Sequence, residues 1–108
     1  MLKETWLQKI FNNEKYYEIR GTPGHNVLGT RIFLCQSGTK TVYGHAYVAA
    51  VLGPLDDSEW ERLRPGHLVE GPPMYASTYA WHLADVKRLQ HPVLIKRKRG
   101  SVGIQVGL

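Results

Sequence analysis

The residue types best suited to chemistry lie close together near the start of the chain, at Lys15, Glu18 and Arg20. Residues two apart in a β-strand share one face, about 6.6 Å from each other. Glu18 and Arg20 are therefore placed to form an ion pair, with Lys15 approaching from the preceding turn. The cations could hold a phosphate or a base carbonyl, and the carboxylate could accept from an exocyclic amine or act as an acid or base. The alternative is an exposed salt bridge worth less than about 1 kcal/mol.

The positive charge of the chain is concentrated in one segment. Residues 85–99 hold six Lys or Arg and one Asp, whereas the rest of the chain holds eight residues of each sign, so the net charge of +5 belongs to this segment. Four of the basic residues are consecutive: Lys96, Arg97, Lys98 and Arg99. Such a tetrad suits phosphate contacts, because binding releases counterions. A solvated turn that protects a strand edge, or a nuclear import signal, would have the same composition.

Aromatic residues and one small loop could complete a nucleic-acid site. Bases stack on exposed aromatic rings, at about 1–3 kcal/mol per base. The candidates for stacking are Tyr16, Tyr43, Tyr47, Tyr79 and Trp81, and packing in the core is the alternative for each. Ser37 begins a Ser-Gly-Thr-Lys segment whose backbone amides could cradle a phosphate, although a plain turn has the same composition.

Other residue types restrict the function classes. The five histidines have no spacing typical of zinc ligands, so we expect neither a metal nor another cofactor. The sequence does not exclude a catalytic Ser-His-Asp triad, because the members of a triad need not be neighbours in sequence. Cys35 is the one cysteine, which excludes an intramolecular disulfide and favours a cytoplasmic location. No apolar run approaches the roughly 20 residues that a membrane span needs, so we expect no membrane partner.

The hydrophobic pattern predicts two short helices and five or six strands. The first helix is expected over residues 5–12, and the second opens with a capping box of Asp57 or Ser58 with Glu61 and ends at Pro65. Strands are expected over residues 15–20, 31–36, 41–52, 79–83, 93–95 and 102–106. Gly44 predicts a bulge or bend inside the longest strand. Residues 96–100 would then form the turn of a terminal hairpin.

Length and pattern together predict one domain over residues 1–108, a small α+β barrel with helices at its ends. The oligomeric state is not indicated by the sequence.

Several segments resemble, in order, the ASCH domain, a small PUA-like β-barrel family. After the first helix comes the pattern Lys15-x-x-Glu18-x-Arg20. Residues 29–34 (Gly-Thr-Arg-Ile-Phe-Leu), 43–48 (Tyr-Gly-His-Ala-Tyr-Val) and 79–83 (Tyr-Ala-Trp-His-Leu) are similar to successive family strands, and Pro92 and residues 100–106 are similar to its closing elements. The resemblance covers nearly the whole chain.

The resemblance implies an RNA- or nucleobase-binding domain with a cleft beside the barrel. Its expected partner is RNA or a modified nucleoside. The binding residues expected are Lys15, Glu18, Arg20, Ser37, Tyr79, Trp81, Lys96, Arg97, Lys98 and Arg99. A protein-interaction barrel without a nucleic-acid role is a further reading.

The alternative that the resemblance implies is a small hydrolase, because some ASCH proteins remove the acyl group from N4-acetylcytidine and others have ribonuclease activity. Lys15 and Glu18 would then be catalytic. The amidohydrolase branch uses a Lys-x-x-Thr pair and a distant glutamate. Lys15 matches that lysine, but Glu18 stands at the threonine position. The distant carboxylate would be Glu59, Glu61 or Glu70.

Overall fold

The structure, a computed structural model, describes residues 4–36, 40–94 and 105–107. These residues form two helices and five strands. In chain order they are α1 (Glu4–Phe11), β1 (Tyr17–Arg20), β2 (Arg31–Cys35), β3 (Thr41–Leu52), α2 (Asp57–His67), β4 (Tyr79–Leu94) and β5 (Gln105–Gly107). Among the described residues, neither helix is long and apolar enough to cross a membrane.

All five strands belong to one sheet in the order β1-β4-β3-β2-β5. The first four are antiparallel and curl into a half-barrel, and β5 joins β2 in parallel. The predicted α+β class, with two helices and five or six strands, is confirmed.

The core lies between the inner face of this curled sheet and helix α1. Alternate residues of β2 and β3, such as Ile32, Leu34, Ala46 and Val48, are almost fully buried. They pack with Ile10 of α1, as the period of two in the strands and the apolar face of the helix predict.

Gly44 allows the sheet to bend at the middle of β3. A Cβ at this position would lie 2.3 Å from the backbone oxygen of Lys87 and 2.5 Å from the ring of Phe11. The register between β3 and β4 shifts between Val42 and Gly44, which confirms the predicted bulge. The close approach of strand, strand and helix therefore requires glycine here.

The prediction of separate strands over 79–83 and 93–95 was wrong, because β4 runs unbroken as Tyr79–Leu94. Irregular pairing with β3 allows β4 to continue as a strand across the polar residues in its middle. Asp85 takes a positive φ of 46°, and the register to β3 shifts on both sides of this region. Residue 95 lies outside the described residues.

The predicted terminal hairpin was also wrong. Strand β5 pairs with β2, two strands away from β4, and the antiparallel pairings in between make β4 and β5 run in the same direction. A hairpin joins antiparallel neighbours. The turn assigned to residues 96–100 lies outside the described residues.

Helix α2 is longer than its sequence pattern indicates. Its N-cap is Asp56, whose side chain accepts from the backbone of Glu59 in a capping box, so the predicted box was placed too late. The helix continues past Pro65 to His67. Proline is tolerated because one missing N–H in the last turn removes a single helical hydrogen bond, and Leu68 closes the helix by donating to Arg64 O at 2.8 Å.

Candidate functional site

The pairing of β1 with β4 brings the predicted charged and aromatic residues together. Glu18 lies directly opposite Trp81, and Arg20 lies opposite Tyr79. Directly opposed residues share a face of the sheet. Two pairs of side chains from distant parts of the sequence therefore form one two-by-two array at this end of the sheet.

Lys15 is buried between the two helices and β1, at 1% exposure. Its Nζ donates to the carbonyl oxygen of His67 and lies 4.8 Å from the centre of the Trp6 ring. The carbonyl belongs to the last turn of α2, where the helix dipole favours a cation. Burial lowers the pKa of Lys15 from 10.5 to about 8, and the charge of Glu18 partly opposes this shift.

The strand predicted from residue 15 begins two residues later, at Tyr17. Lys15 instead belongs to the connection after α1, where its backbone N–H donates to Lys9 O at 3.1 Å. Tyr16 then donates its backbone N–H to Gly66 O at 3.0 Å. These hydrogen bonds tie the connection to both helices. They keep Lys15 close enough to Glu18 for the charge of each group to affect the pKa of the other.

Glu18 is a buried carboxylate at 3% exposure. One oxygen, Oε1, accepts from the backbone N–H of Ile19 at 3.1 Å, and Oε2 accepts from Nη2 of Arg20 at 3.3 Å. The predicted ion pair is confirmed. Burial raises the pKa of Glu18 from 4.5 to about 7, against the opposing charges of Arg20 and Lys15. The carboxyl group is thus poised to accept or release a proton near neutral pH.

Arg20 links the buried carboxylate of Glu18 to the ring of Trp81, which lines an open groove. Its side chain is 30% exposed, and its guanidinium carbon lies 5.7 Å from the centre of the Trp81 ring. Trp81 and residues 22–27 line the groove. The indole Nε1 of Trp81 donates to Thr22 O at 3.1 Å, which fixes the ring against the loop. The groove therefore has an aromatic wall with a guanidinium beside it.

Trp81 and Tyr79, the two aromatic residues predicted to bind the ligand, also pack against the core. Trp81 is 5% exposed and belongs to the core as well as to the groove. Tyr79 is half-buried and packs against the core. The predicted Ser37 and the tetrad of residues 96–99 lie outside the described residues.

The three glutamates considered as a distant carboxylate lie on α2 or just after it. Glu59 is engaged in the capping box, and Glu61 pairs with Arg64 at 2.7 Å. Neither of these contacts involves Lys15 or Glu18. Glu70 is exposed, whereas Lys15 and Glu18 are buried.

His67 is a buried part of the site that its sequence context did not reveal. Its Nε2 donates to Trp60 O at 2.9 Å, and its Nδ1 accepts from the backbone N–H of Val69 at 2.9 Å. The ring stacks on Trp60, with 4.0 Å between centroids, and burial lowers its pKa. A neutral His67 thereby holds the end of α2 whose carbonyl receives Lys15. In the sequence, the one feature that marks His67 is its position near the end of a predicted helix.

Metal-binding side chains do not cluster here: within residues 4–36 and 40–94, no three or more His, Cys, Asp or Glu are grouped to hold an ion.

Comparison with solved structures relates the fold of this chain to that of known proteins. The crystal structure of the ASCH protein from Zymomonas mobilis superposes with a TM-score of 0.68 and 22% identity, covering 85% of this chain and 68% of that one. A serine-to-alanine mutant of the same protein gives a TM-score of 0.70 and 21% identity, covering 85% and 69%. The chain has an ASCH-type fold.

At this identity the likeness concerns the fold. Comparisons with protein-family models and with curated proteins found no match. Within the ASCH-type fold, the Lys15, Glu18 and Arg20 side chains and the groove beside Trp81 are this chain's candidate site.

Proposed function

We propose that this chain binds RNA or a nucleobase in the groove beside Trp81, with Arg20 as the group that meets the ligand. The observation that carries the proposal is the buried carboxylate of Glu18, which holds a partly exposed guanidinium against an aromatic wall. A buried ionisable group requires compensation, and such groups with perturbed pKa values cluster at functional sites.

The chemistry of a nucleobase matches this groove. Arg20 can donate to a base carbonyl or ring nitrogen, and a protonated or ionised Glu18 behind it adjusts the charge that the ligand meets. Lys15 adds positive potential from within. The tetrad Lys96–Arg99 and the segment at Ser37 would contact the phosphate backbone under this proposal. A cytoplasmic location is part of it, since a chain with one cysteine has no intramolecular disulfide to preserve.

The test is binding of cytidine, adenosine and a ten-nucleotide single-stranded RNA at low salt, followed by NMR of the three tryptophan indole N–H signals. We expect the Trp81 signal to shift on binding, because its ring lines the groove. The Trp60 indole, which donates to Gly71 O on the α2 side, should stay unchanged.

The matched variants are Arg20→Ala and Arg62→Ala, an exposed arginine on α2. Loss of a charge-assisted hydrogen bond to the ligand costs about 1.5–3 kcal/mol, so Arg20→Ala should weaken binding at least tenfold. Arg62→Ala should leave it unchanged. An unmoved Trp81 signal, or equal affinity of the two variants, would discard the proposal.

A second candidate is hydrolysis of a modified nucleoside, and the pKa of Lys15 near 8 favours it. A lysine acts as a base or nucleophile when burial lowers its pKa toward neutrality. In this reaction water would cleave the amide of N4-acetylcytidine to give cytidine and acetate, with Glu18 exchanging the proton. The bond from Lys15 to His67 O would have to open during the reaction.

The hydrolase is tested by measuring acetate released from N4-acetylcytidine and cleavage of a single-stranded RNA. Lys15→Ala should abolish turnover, whereas Arg62→Ala, at an exposed arginine, should not. Turnover that survives Lys15→Ala would exclude this mechanism, and binding without turnover in the wild type would leave the first proposal alone.

A further inference from the structure

The outer face of the sheet carries aromatic and basic side chains in an ordered array. Phe33 of β2 lies opposite His45 of β3, which lies opposite Lys87 of β4. In the neighbouring row, Arg31 of β2 lies opposite Tyr47 of β3. Their strand neighbours, such as Ile32 and Ala46, point into the core, so this array faces the other way. We call these five residues, with Asp85, the outer sheet face.

The two aromatic rings of this face are exposed, although large apolar side chains are usually buried. Phe33 is 40% exposed and Tyr47 is 38% exposed. They occupy diagonal positions on adjacent strands, which places them about 7–8 Å apart. Two rings at that spacing can receive two bases of one strand.

The cations of the face are held in place before any partner arrives. Arg31 donates from Nε to His45 Nδ1 at 2.9 Å, from Nη1 to Asp85 Oδ2 at 2.9 Å and from Nη2 to Asp85 O at 2.6 Å. Lys87 Nζ lies 3.4 Å from Asp85 Oδ1. The guanidinium thus spans β3 from β2 to β4. With two cations to one carboxylate, the face keeps a net positive charge.

We propose that the outer sheet face is a second binding surface, which takes single-stranded nucleic acid by stacking bases on Phe33 and Tyr47. Arg31 and Lys87 contact the phosphates. Flat aromatic rings beside cations on a sheet suit a strand whose bases are unpaired, because every base offers a stacking face. A duplex keeps its bases stacked on one another and cannot use the rings.

This surface goes beyond the groove beside Trp81, because it uses other residues on the opposite side of the sheet. Asp85 is its built-in competitor: its carboxylate neutralises the cations that a phosphate would contact. Asparagine tolerates the positive φ of this position, so Asp85→Asn removes the charge without straining the backbone.

The experiment measures binding of a labelled ten-nucleotide single strand and of the matching duplex by fluorescence anisotropy. Phe33→Leu and Tyr47→Leu keep apolar bulk and remove the rings. Each should weaken single-strand binding about fivefold or more, the cost of one stacked base. Asp85→Asn should strengthen it, most at low salt. Met74→Ala, at an exposed side chain in the loop before β4, should have no effect.

Binding of free cytidine separates this surface from the groove. It should be unchanged in Phe33→Leu and Tyr47→Leu, whatever the outcome for Arg20→Ala. The proposal is overturned if both leucine variants bind the single strand as the wild type does, or if duplex affinity falls equally. It is also overturned if the variants change only self-association in sedimentation, which would make the face an interface between copies of the chain.

Discussion

Lys15 and Glu18 show how burial sets the charge of a site at the scale of single residues. Burial alone would neutralise both groups, and each partly restores the charge of the other. The result is a lysine with a pKa near 8 next to a carboxyl with a pKa near 7. Small changes in the surroundings, including an arriving ligand, would shift the proton balance of such a pair.

The raised pKa of Glu18 predicts a specific dependence of stability on pH. Between pH 4.5 and about 7, folded Glu18 keeps a proton that the unfolded chain releases, so stability falls as the pH rises through this window. Glu18→Gln lacks this contribution. Its free energy of unfolding, relative to wild type, should therefore rise by about 3 kcal/mol from pH 4.5 to above pH 7, at about 1.4 kcal/mol per pKa unit.

The measurement is urea unfolding followed by tryptophan fluorescence at several pH values. Contributions from His67 are the same in both proteins and cancel in the difference. Glu70→Gln, at an exposed carboxylate, is the control and should track the wild type. Parallel curves for Glu18→Gln and wild type would contradict the burial argument.

The candidate site could be predicted from sequence only where its members are local. Glu18 and Arg20 are two apart on a strand, so their ion pair follows from strand geometry. The partner of Lys15 could not be found in this way, because the carbonyl of His67 is fifty-two residues away. The burial of Trp81 likewise depends on the curl of the sheet, which no local pattern encodes.

At the scale of elements, Gly44 has the least room for a side chain among the glycines in the described part of the chain. The atom nearest to an added Cβ is a backbone oxygen, at 2.3 Å, which cannot rotate away as a side chain can. Gly44→Ala should therefore destabilise the protein by about 3 kcal/mol or more, through displacement of β4 and Phe11. Chemical denaturation at constant pH measures this loss.

The control for that substitution is Ala49→Gly, at an exposed position of the same strand. It adds backbone freedom without a collision and should cost about 1 kcal/mol or less. Equal losses for the two variants would mean that chain flexibility, rather than the close approach, explains the need for glycine.

Elements were predictable to the extent that local rules decide them. Strand β3 has the predicted bounds, and buried and more exposed residues alternate over most of it, from residue 41 to residue 49. Helix α2 continues beyond Pro65 because the hydrogen bond that proline removes belongs to the last turn. Lys15 and Tyr16 donate hydrogen bonds to carbonyls of that turn from outside the helix. The polar middle of β4 stays a strand because β3 supplies hydrogen-bond partners through the bulges.

At the scale of the whole molecule, two of the predicted stacking candidates lie on opposite faces of the sheet: Trp81 packs in the core, and Tyr47 is exposed on the outer sheet face. The groove beside Trp81 and the outer sheet face lie on opposite sides of the curled sheet. The predicted hairpin would have paired the last strand with β4, whereas β5 pairs with β2. Parallel pairing of distant strands is a long-range outcome that turn signals do not indicate.

The concentration of charge predicts how nucleic-acid binding depends on salt. Replacing Lys96, Arg97, Lys98 and Arg99 with serine removes four positive charges and lowers the net charge from +5 to +1. If the tetrad binds phosphates, the slope of log affinity against log salt for single-stranded RNA should shrink by about 0.7 for each phosphate that is no longer neutralised. The decrease in affinity should be largest at low salt.

The control removes charge elsewhere, as the single variant Arg62→Ser, at an exposed position. Charges more than a Debye length from the strand, about 8–10 Å at moderate salt, are screened and contribute little. The tetrad variant should therefore show the larger decrease in slope per charge removed. An equal decrease per charge in the two variants would mean that net charge alone attracts the RNA, and the tetrad would then have no special role at its backbone.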